Sequence, residues 1–158
     1  LTMAGNIRGG RMQDGFSRWL DRETVRLGIA DAIEWLGPLS APEIVGAMQA
    51  SHVVVVPSFV ETYCLALAEA MMVGVPTVVS YAGAMPELAR DGESALYFPP
   101  GDALSCAGQI LRLIHNDALA NGISAKSRES ALIRNDPDTV LRRQMEIYDS
   151  IVDRKRLP

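Results

Sequence analysis

The run His52-Val53-Val54-Val55-Val56, closed by Pro57, most constrains the fold of this chain. It is β-branched and apolar without alternation. That pattern predicts a strand buried on both faces of a parallel sheet, stopped by a proline that cannot donate to the ladder. Further short apolar runs lie at residues 1–4, 33–36, 77–80 and 95–98. Longer segments with helical spacing fill the gaps. Residues 14–28 carry Phe16, Leu20 and Leu27 among charges, with Gly28 as a stop. Ser40-Ala41-Pro42-Glu43 fits a capping box that opens a helix through Met48. Residues 63–73 are apolar almost throughout, a short helix is expected after Met85, and others at 102–115 and 118–133. A final amphipathic helix after Asp136-Pro137 carries Val140, Met145, Tyr148 and Ile151. Strands alternating with helices imply an α/β, doubly wound parallel sheet. Ligands of such sheets bind beyond the carboxyl ends of the strands, here just after Leu36, Val56 and Ser80.

The 158 residues suffice for one domain, read as 1–158. A net charge of -4 argues against nucleic acid as a partner. The basic run Arg154-Lys155-Arg156 reads as a solvated helix end. Two distant cysteines, Cys64 and Cys106, and two histidines, His52 and His115, supply neither a disulfide framework nor a metal-ligand cluster, so no metal is expected and a reducing cytoplasm is the default location. No apolar run approaches the ~20 residues that span a bilayer. Leu1-Thr2-Met3-Ala4-Gly5-Asn6 reads as a strand entering a glycine turn, so the chain is expected to be an excised piece of a longer one.

The chemistry concentrates after the strongest strand. Glu69 is the only charge between Tyr63 and Val73, and its helical neighbours Leu65, Ala66, Met72 and Val73 are apolar. A carboxylate without a solvent-facing side is costly unless paired. Pairing with a distant arginine, or escape through a gap in the packing, stands level with a ligand role from pattern alone. Glu61 stands eight residues earlier, near the expected helix start, where a charge favourable to the helix dipole is the simpler reading. Between the two lie backbone N–H groups of roughly Tyr63 to Leu65, an anion site if the helix begins there. Carboxylate, anion hole, carboxylate follows the order of a sugar nucleotide: hydroxyls, diphosphate, hydroxyls. After the strand at 77–80, Gly83 and Ala84 allow backbone to approach a ligand, and Glu87 is positioned to cap the next helix. Asp91-Gly92-Glu93 and Pro99-Pro100-Gly101-Asp102 read as turns.

The series Pro57-Ser58, Glu61, Glu69-Ala70-Met71, Gly74-Val75-Pro76, Gly83, Pro86-Glu87, Asp91-Gly92 and Gly101-Asp102 resembles the group 1 (family 4) retaining glycosyltransferases, with their Glu-x7-Glu signature at Glu61 and Glu69. Leu36-Gly37-Pro38-Leu39 resembles the segment beside the nucleotide base, and Gly5-Asn6 the turn before it. The resemblance implies a Rossmann-like sheet, the C-terminal half of a GT-B fold, lacking its first strand and helix. It implies that Glu61 contacts donor-sugar hydroxyls as the catalytic carboxylate and that Glu69 holds the ribose. Backbone at Cys64 and Leu65 would meet the diphosphate, Pro38 and Leu39 would flank the base, and Ser58, Tyr63, Gly83 and Ala84 would complete the donor site. The implied reaction is retaining transfer from a nucleotide-diphosphate sugar to a glycan, lipid or small-molecule acceptor, with no cofactor and no essential metal.

Two departures qualify these expectations. Tyr63-Cys64 stands where the family has Phe-Gly, and a Cβ at 64 narrows the backbone approach. The basic pair that neutralises the diphosphate precedes the segment beginning at Leu1, and Arg8 and Arg11 do not match its spacing. The acceptor-binding N-terminal domain is also expected to be missing. The piece is therefore expected to bind donor weakly, not to catalyse, and to self-associate through exposed cleft and last-helix surfaces. The full-length enzyme is expected in the cytoplasm, with a peripheral inner-membrane location open. Two alternatives stand beside this reading: an isomerase similar to nucleotide-sugar 2-epimerases, and a non-catalytic nucleotide-binding module.

Overall fold

The computed structural model describes residues 1–5 and 15–154, with backbone only at 153 and 154. Asn6, Arg8, Arg11, Lys155 and Arg156 lie outside the described residues. The chain divides into two compact units, Leu1–Ala47 and Met48–Pro158.

In the first unit, β1 (Thr2–Ala4) pairs in parallel with β2 (Glu34–Gly37). Helix α1 (Gly15–Arg26) connects them. It ends as its sequence predicts. Gly28 takes φ 68°, its N–H donates to Val25 O at 3.0 Å and the Ile29 N–H to Thr24 O at 3.0 Å, so the last carbonyls are satisfied. Phe16 and Trp19 stack on α1 at 5.8 Å. One half of the capping box is present at α2 (Ala41–Gln49): the Ser40 N–H donates to Glu43 Oε2 at 2.8 Å, and the Ser40 hydroxyl donates to the same oxygen at 2.6 Å. Those bonds hold the Glu43 carboxyl below its ordinary pKa.

In the second unit, β3 (Val54–Val56), β4 (Thr77–Ser80) and β5 (Leu96–Phe98) form a parallel sheet in that order. The helices are α3 (Leu65–Val73), α4 (Met85–Leu88), α5 (Ala103–Ile114), α6 (Asp117–Arg134) and α7 (Pro137–Arg154). Pleating sorts the strand side chains to two faces. Val54, Val56, Val79 and Tyr97 join Leu67 and Met71 of α3 and Met85 and Leu88 of α4 on one face. Val55, Val78, Leu96 and Phe98 meet Leu113 of α5 and Ile123 of α6 on the other. Each fully buried leucine or methionine in these layers is worth about 1.5–3 kcal/mol. Helices on both faces of a parallel sheet make the α/β, Rossmann-like fold expected from the sequence.

Burial corrects one expectation. The valine run is only half-buried at Val54 and Val55, whereas Thr77–Ser80 is buried at every position. Sheet order decides this: β4 has a neighbour on each side, and β3 has one neighbour within this sheet. The seam of the unit is α3 against α6. Ser124 Oγ donates to Gly74 O at 2.5 Å, and Arg128 donates to Met72 O and Val73 O at 3.3 and 3.1 Å. These bonds satisfy the carbonyls that α3 exposes at its C-terminus.

Asp102 and Asn116 cap α5 and α6 through the Ser105 and Leu119 N–H groups, at 3.0 and 2.9 Å. Asp136 accepts from the Thr139 N–H at 2.9 Å at the start of α7. Serine donors lower the Asp102 carboxyl, and threonine donors the Asp136 carboxyl. Helix α7 keeps Val140, Leu141, Met145, Tyr148 and Ile151 about half-exposed. No helix among the described residues is long and apolar enough to cross a membrane.

Candidate functional site

The expected sites after Val56 and Ser80 meet in the second unit. The chain leaves β3, turns through 57–64, and enters α3. It leaves β4 through the loop at 81–84 and enters α4. These two loops are locked together. Gly83 takes φ 53°, and a Cβ built on it would stand 1.9 Å from the carbonyl oxygen of Glu61. Beside that contact, the Ala84 N–H donates to Thr62 O at 3.3 Å. The absent side chain at Gly83 thus makes room for the Glu61 backbone, not directly for a ligand as the sequence reading expected.

Glu61 is fixed at both ends. Ser58 Oγ donates to Glu61 Oε1 at 2.9 Å. Ser80, fully buried at the end of β4, donates to Ser58 O at 2.5 Å. The sequence reading missed Ser80; its one signal was a hydroxyl closing an apolar run. At the far side of the loop, Phe59 lies over Gly101, where a Cβ would come within 3.0 Å of the ring.

Cys64 is the only non-glycine residue with positive φ among the described residues, at φ 68° and ψ 76°. The left-handed conformation ends the loop and forces α3 to begin at Leu65, two residues later than expected. No side chain caps the helix. The first-turn N–H groups left without an intrahelical partner are therefore those of Leu65 and Ala66, not of Tyr63, while the Leu67 N–H meets the Cys64 sulfur. The Cys64 side chain is buried in the α3–α4 layer. Burial pushes its thiol above the ordinary range, the Leu67 N–H opposes this, and the Glu61 charge adds to it. The group stays protonated at neutral pH and is no thiolate nucleophile.

Glu69 is not the solventless carboxylate the sequence suggested. Leu65, Ala66, Glu69 and Met72 form the exposed strip of α3, while Leu67, Ala68, Ala70 and Met71 face the core. The even apolarity of α3 concealed which side was buried. Glu61 and Glu69 therefore do not lie along one helix. The first belongs to the loop and the second to the exposed face one turn beyond the helix start. Tyr63 is exposed, and Ala84 ends its loop as the position before α4. Glu87 makes no capping bond: the Ala84 N–H that its carboxylate would receive already donates to Thr62 O at 3.3 Å. Pro38 and Leu39 belong to the first unit, directly after β2 and beside Gly37, whose carbonyl accepts from the Gly5 N–H at 2.8 Å. Among the described residues no group of His, Cys, Asp or Glu could hold a metal ion.

Residues 1–116 match the family described as "Glycosyl transferases group 1". The chain belongs to the group 1 glycosyl transferases. A relative within this family's reach is D-inositol 3-phosphate glycosyltransferase of Nocardioides sp., 29% identical over 121 residues, which are 77% of this chain and 26% of that protein. Among solved structures, sucrose-phosphate synthase from Thermosynechococcus elongatus superposes with a TM-score of 0.84 at 23% identity, over 97% of this chain and 38% of that one. HepE of Anabaena, solved in complex with UDP, gives 0.83 at 24% identity, over 94% and 40%. Structural neighbours of this group 1 chain are GT-B glycosyltransferases, and its fold corresponds to the C-terminal half of such an enzyme. The chain spans about a quarter of the curated relative and two fifths of each solved neighbour.

Proposed function

We propose that this chain is the donor-binding part of a retaining glycosyltransferase that uses a nucleotide-diphosphate sugar. The observation that carries the reading is the close approach of Gly83 to Glu61. It joins the loops after two adjacent parallel strands, beside an uncapped helix N-terminus, where an α/β sheet binds its ligands. The UDP bound by the structurally similar HepE supports the ligand class.

Each residue has a role in this reading. The α3 first turn and the backbone at Cys64 and Leu65 receive the diphosphate, whose charge grows as the anomeric C–O bond breaks. Glu61, oriented by Ser58, accepts hydrogen bonds from the donor-sugar hydroxyls. Gly83 and Ala84 wall the same sugar, and Tyr63 flanks it. Glu69 receives the ribose hydroxyls. The acceptor, a glycan, lipid or small molecule, binds to an N-terminal domain, and its hydroxyl attacks the face that the diphosphate leaves. No metal takes part. The 158-residue chain binds donor weakly, does not turn it over, and self-associates; the full enzyme works in the cytoplasm.

The test is calorimetric titration of the protein with UDP, GDP and their glucose and mannose conjugates, beside Glu69→Ala. Selective binding of one nucleotide, weakened at least tenfold in the variant, is expected. Binding unchanged by the variant would refute the ribose role. Turnover by the chain alone would refute its inactivity.

A further inference from the structure

The loop at 81–84, which walls the proposed donor sugar, carries one large side chain. Tyr81 is followed by Ala82, Gly83 and Ala84. Residues this small hold a loop poorly by themselves, and glycine least of all. The loop is set from two sides. On one, Gly83 and Ala84 meet the backbone of Glu61 and Thr62. On the other stands a cluster of three residues, Tyr81, Asp91 and Tyr97, to which the donor reading gives no role.

Asp91 uses both carboxylate oxygens. Oδ1 accepts from the Tyr97 N–H at 3.0 Å, and Oδ2 accepts from the Tyr81 hydroxyl at 3.0 Å. Two such bonds fix the carboxylate, although the residue is exposed. A tight turn holds its backbone. The Glu93, Ser94 and Ala95 N–H groups converge on Arg90 O at 3.2, 3.0 and 3.3 Å, and the Gly92 N–H donates to Ala95 O at 2.9 Å. Tyr81 is tied at three points: its hydroxyl at Asp91, its N–H to Phe98 O at 3.0 Å, and its ring on that of Tyr97, with centroids 4.5 Å apart. The bond to Asp91 holds the Tyr81 phenol above its ordinary pKa, so it stays a donor at neutral pH. The Tyr97 hydroxyl also donates to Met85 O at 2.6 Å. One tyrosine thus touches the loop at its first residue and just past its last.

The sheet does not need the Tyr81 hydroxyl. β4 and β5 are joined by their own ladder, and Tyr81 is half-exposed. What the hydroxyl adds is restraint on the loop. We infer that Tyr81 and Asp91 are positioning residues for the donor sugar. They hold loop 81–84 against the Glu61 backbone, so that the Glu61 carboxylate keeps its place for the sugar hydroxyls. The inference rests on the donor-site reading above, in which neither residue is a ligand contact. A loop fixed before the ligand arrives removes an ordering cost from binding. That gain falls on the sugar, which the loop walls, and not on the nucleotide diphosphate at the start of α3.

The experiment is calorimetry of the protein with UDP, UDP-glucose, GDP and GDP-mannose, joined to hydrogen exchange of the Ala84 N–H. The parent is compared with Tyr81→Phe, Asp91→Ala and Asp91→Asn. Tyr81→Phe removes the hydroxyl and keeps the ring. It should weaken the nucleotide sugar about fivefold, in the range of one hydrogen bond, and leave the bare nucleotide unchanged. Exchange at Ala84 should quicken. A general loss of stability would instead weaken both ligands together. Asp91→Ala should behave like Tyr81→Phe. Asp91→Asn keeps an oxygen for the Tyr97 N–H and offers an amide N–H to the Tyr81 oxygen, so it should retain most of the preference for the sugar conjugate. Equal losses for nucleotide and conjugate, a parent-like preference in Tyr81→Phe, or identical behaviour of Asp91→Asn and Asp91→Ala would each overturn the inference. A parent that binds neither nucleotide nor conjugate refutes the donor reading beneath it. A parent that binds, with Ala84 exchange unmoved in Tyr81→Phe, refutes the inference alone.

Discussion

The carbonyl oxygen of Glu61 occupies the space that a side chain at position 83 would need: the built Cβ of Gly83 falls 1.9 Å from it. The two loops of the proposed donor site thus share one close backbone contact. Substituting Gly83 with alanine must move the Glu61 loop, and the left-handed φ adds about 1–2 kcal/mol of its own. Gly83→Ala is expected to lower stability by about 2 kcal/mol or more and to weaken nucleotide-sugar binding over tenfold. Thermal melting with calorimetry checks both; a variant that binds like the parent would show that the contact does not set the site.

Cys64 combines an unfavourable backbone with a buried side chain. Cys64→Gly relieves strain of about 1–2 kcal/mol but empties packing of similar worth. Its net effect on stability is therefore expected within about 1 kcal/mol, with donor binding changed by no more than a few-fold. Cys64→Val adds a β-branch at positive φ and should destabilise clearly. Denaturant midpoints of the two variants must diverge; equal midpoints would mean that φ at this position is immaterial.

Ser80 is a buried hydroxyl whose partner is the Ser58 carbonyl. Ser80→Ala leaves that acceptor unsatisfied and should cost about 1–3 kcal/mol. Ser58→Ala, at a half-buried position, should leave the fold intact and weaken donor binding through Glu61. Chemical denaturation separates the two cases: the first variant should lose stability, the second affinity.

The Tyr97 hydroxyl is shared between Met85 O and Ala89 O, at 2.6 and 3.0 Å, and holds α4 to β5. Burial raises its pKa, with the negative charges of Tyr81 and Asp91 adding to the effect. A phenol raised in the folded state contributes fully below the ordinary phenol value of about 10. That contribution is lost as pH rises toward the raised value. Stability should therefore fall in the alkaline range, and Tyr97→Phe should flatten part of that fall. An unchanged alkaline slope in the variant would exclude Tyr97 as its source.

Asp102 and Asp136 have depressed pKa values as helix caps. Their contribution is present above the ordinary carboxylate range and lost as pH falls through the depressed values. Asparagine caps about as well as aspartate and does not titrate. Asp102→Asn with Asp136→Asn should match the parent near neutral pH and melt less steeply in acid. Parallel acid profiles for variant and parent would sink this expectation.

The sequence by itself determined the elements. Strand 77–80 appears with its expected ends, because a glycine-proline entry and a small-residue exit bound a run that only a sheet can bury. The stop at Gly28 and the cap bond between Ser40 and Glu43 were equally legible, because each depends on residues within one turn of chain. Tertiary structure decided what depends on distant partners. Nothing local in residues 65–73 distinguishes Glu69 on an exposed strip from Glu69 in a core, since a uniformly apolar helix carries no record of which side is covered. The half-burial of the valine run follows from strand order, which no strand encodes alone. The fit of Gly83 against Glu61 joins residues 22 positions apart. The left-handed residue Cys64 likewise packs its side chain against distant parts of the chain, among them Met85 and Tyr97 of the same buried cluster. Short-range chemistry writes helices, strands and turns; only packing sets which faces meet, and with them the shape of the site.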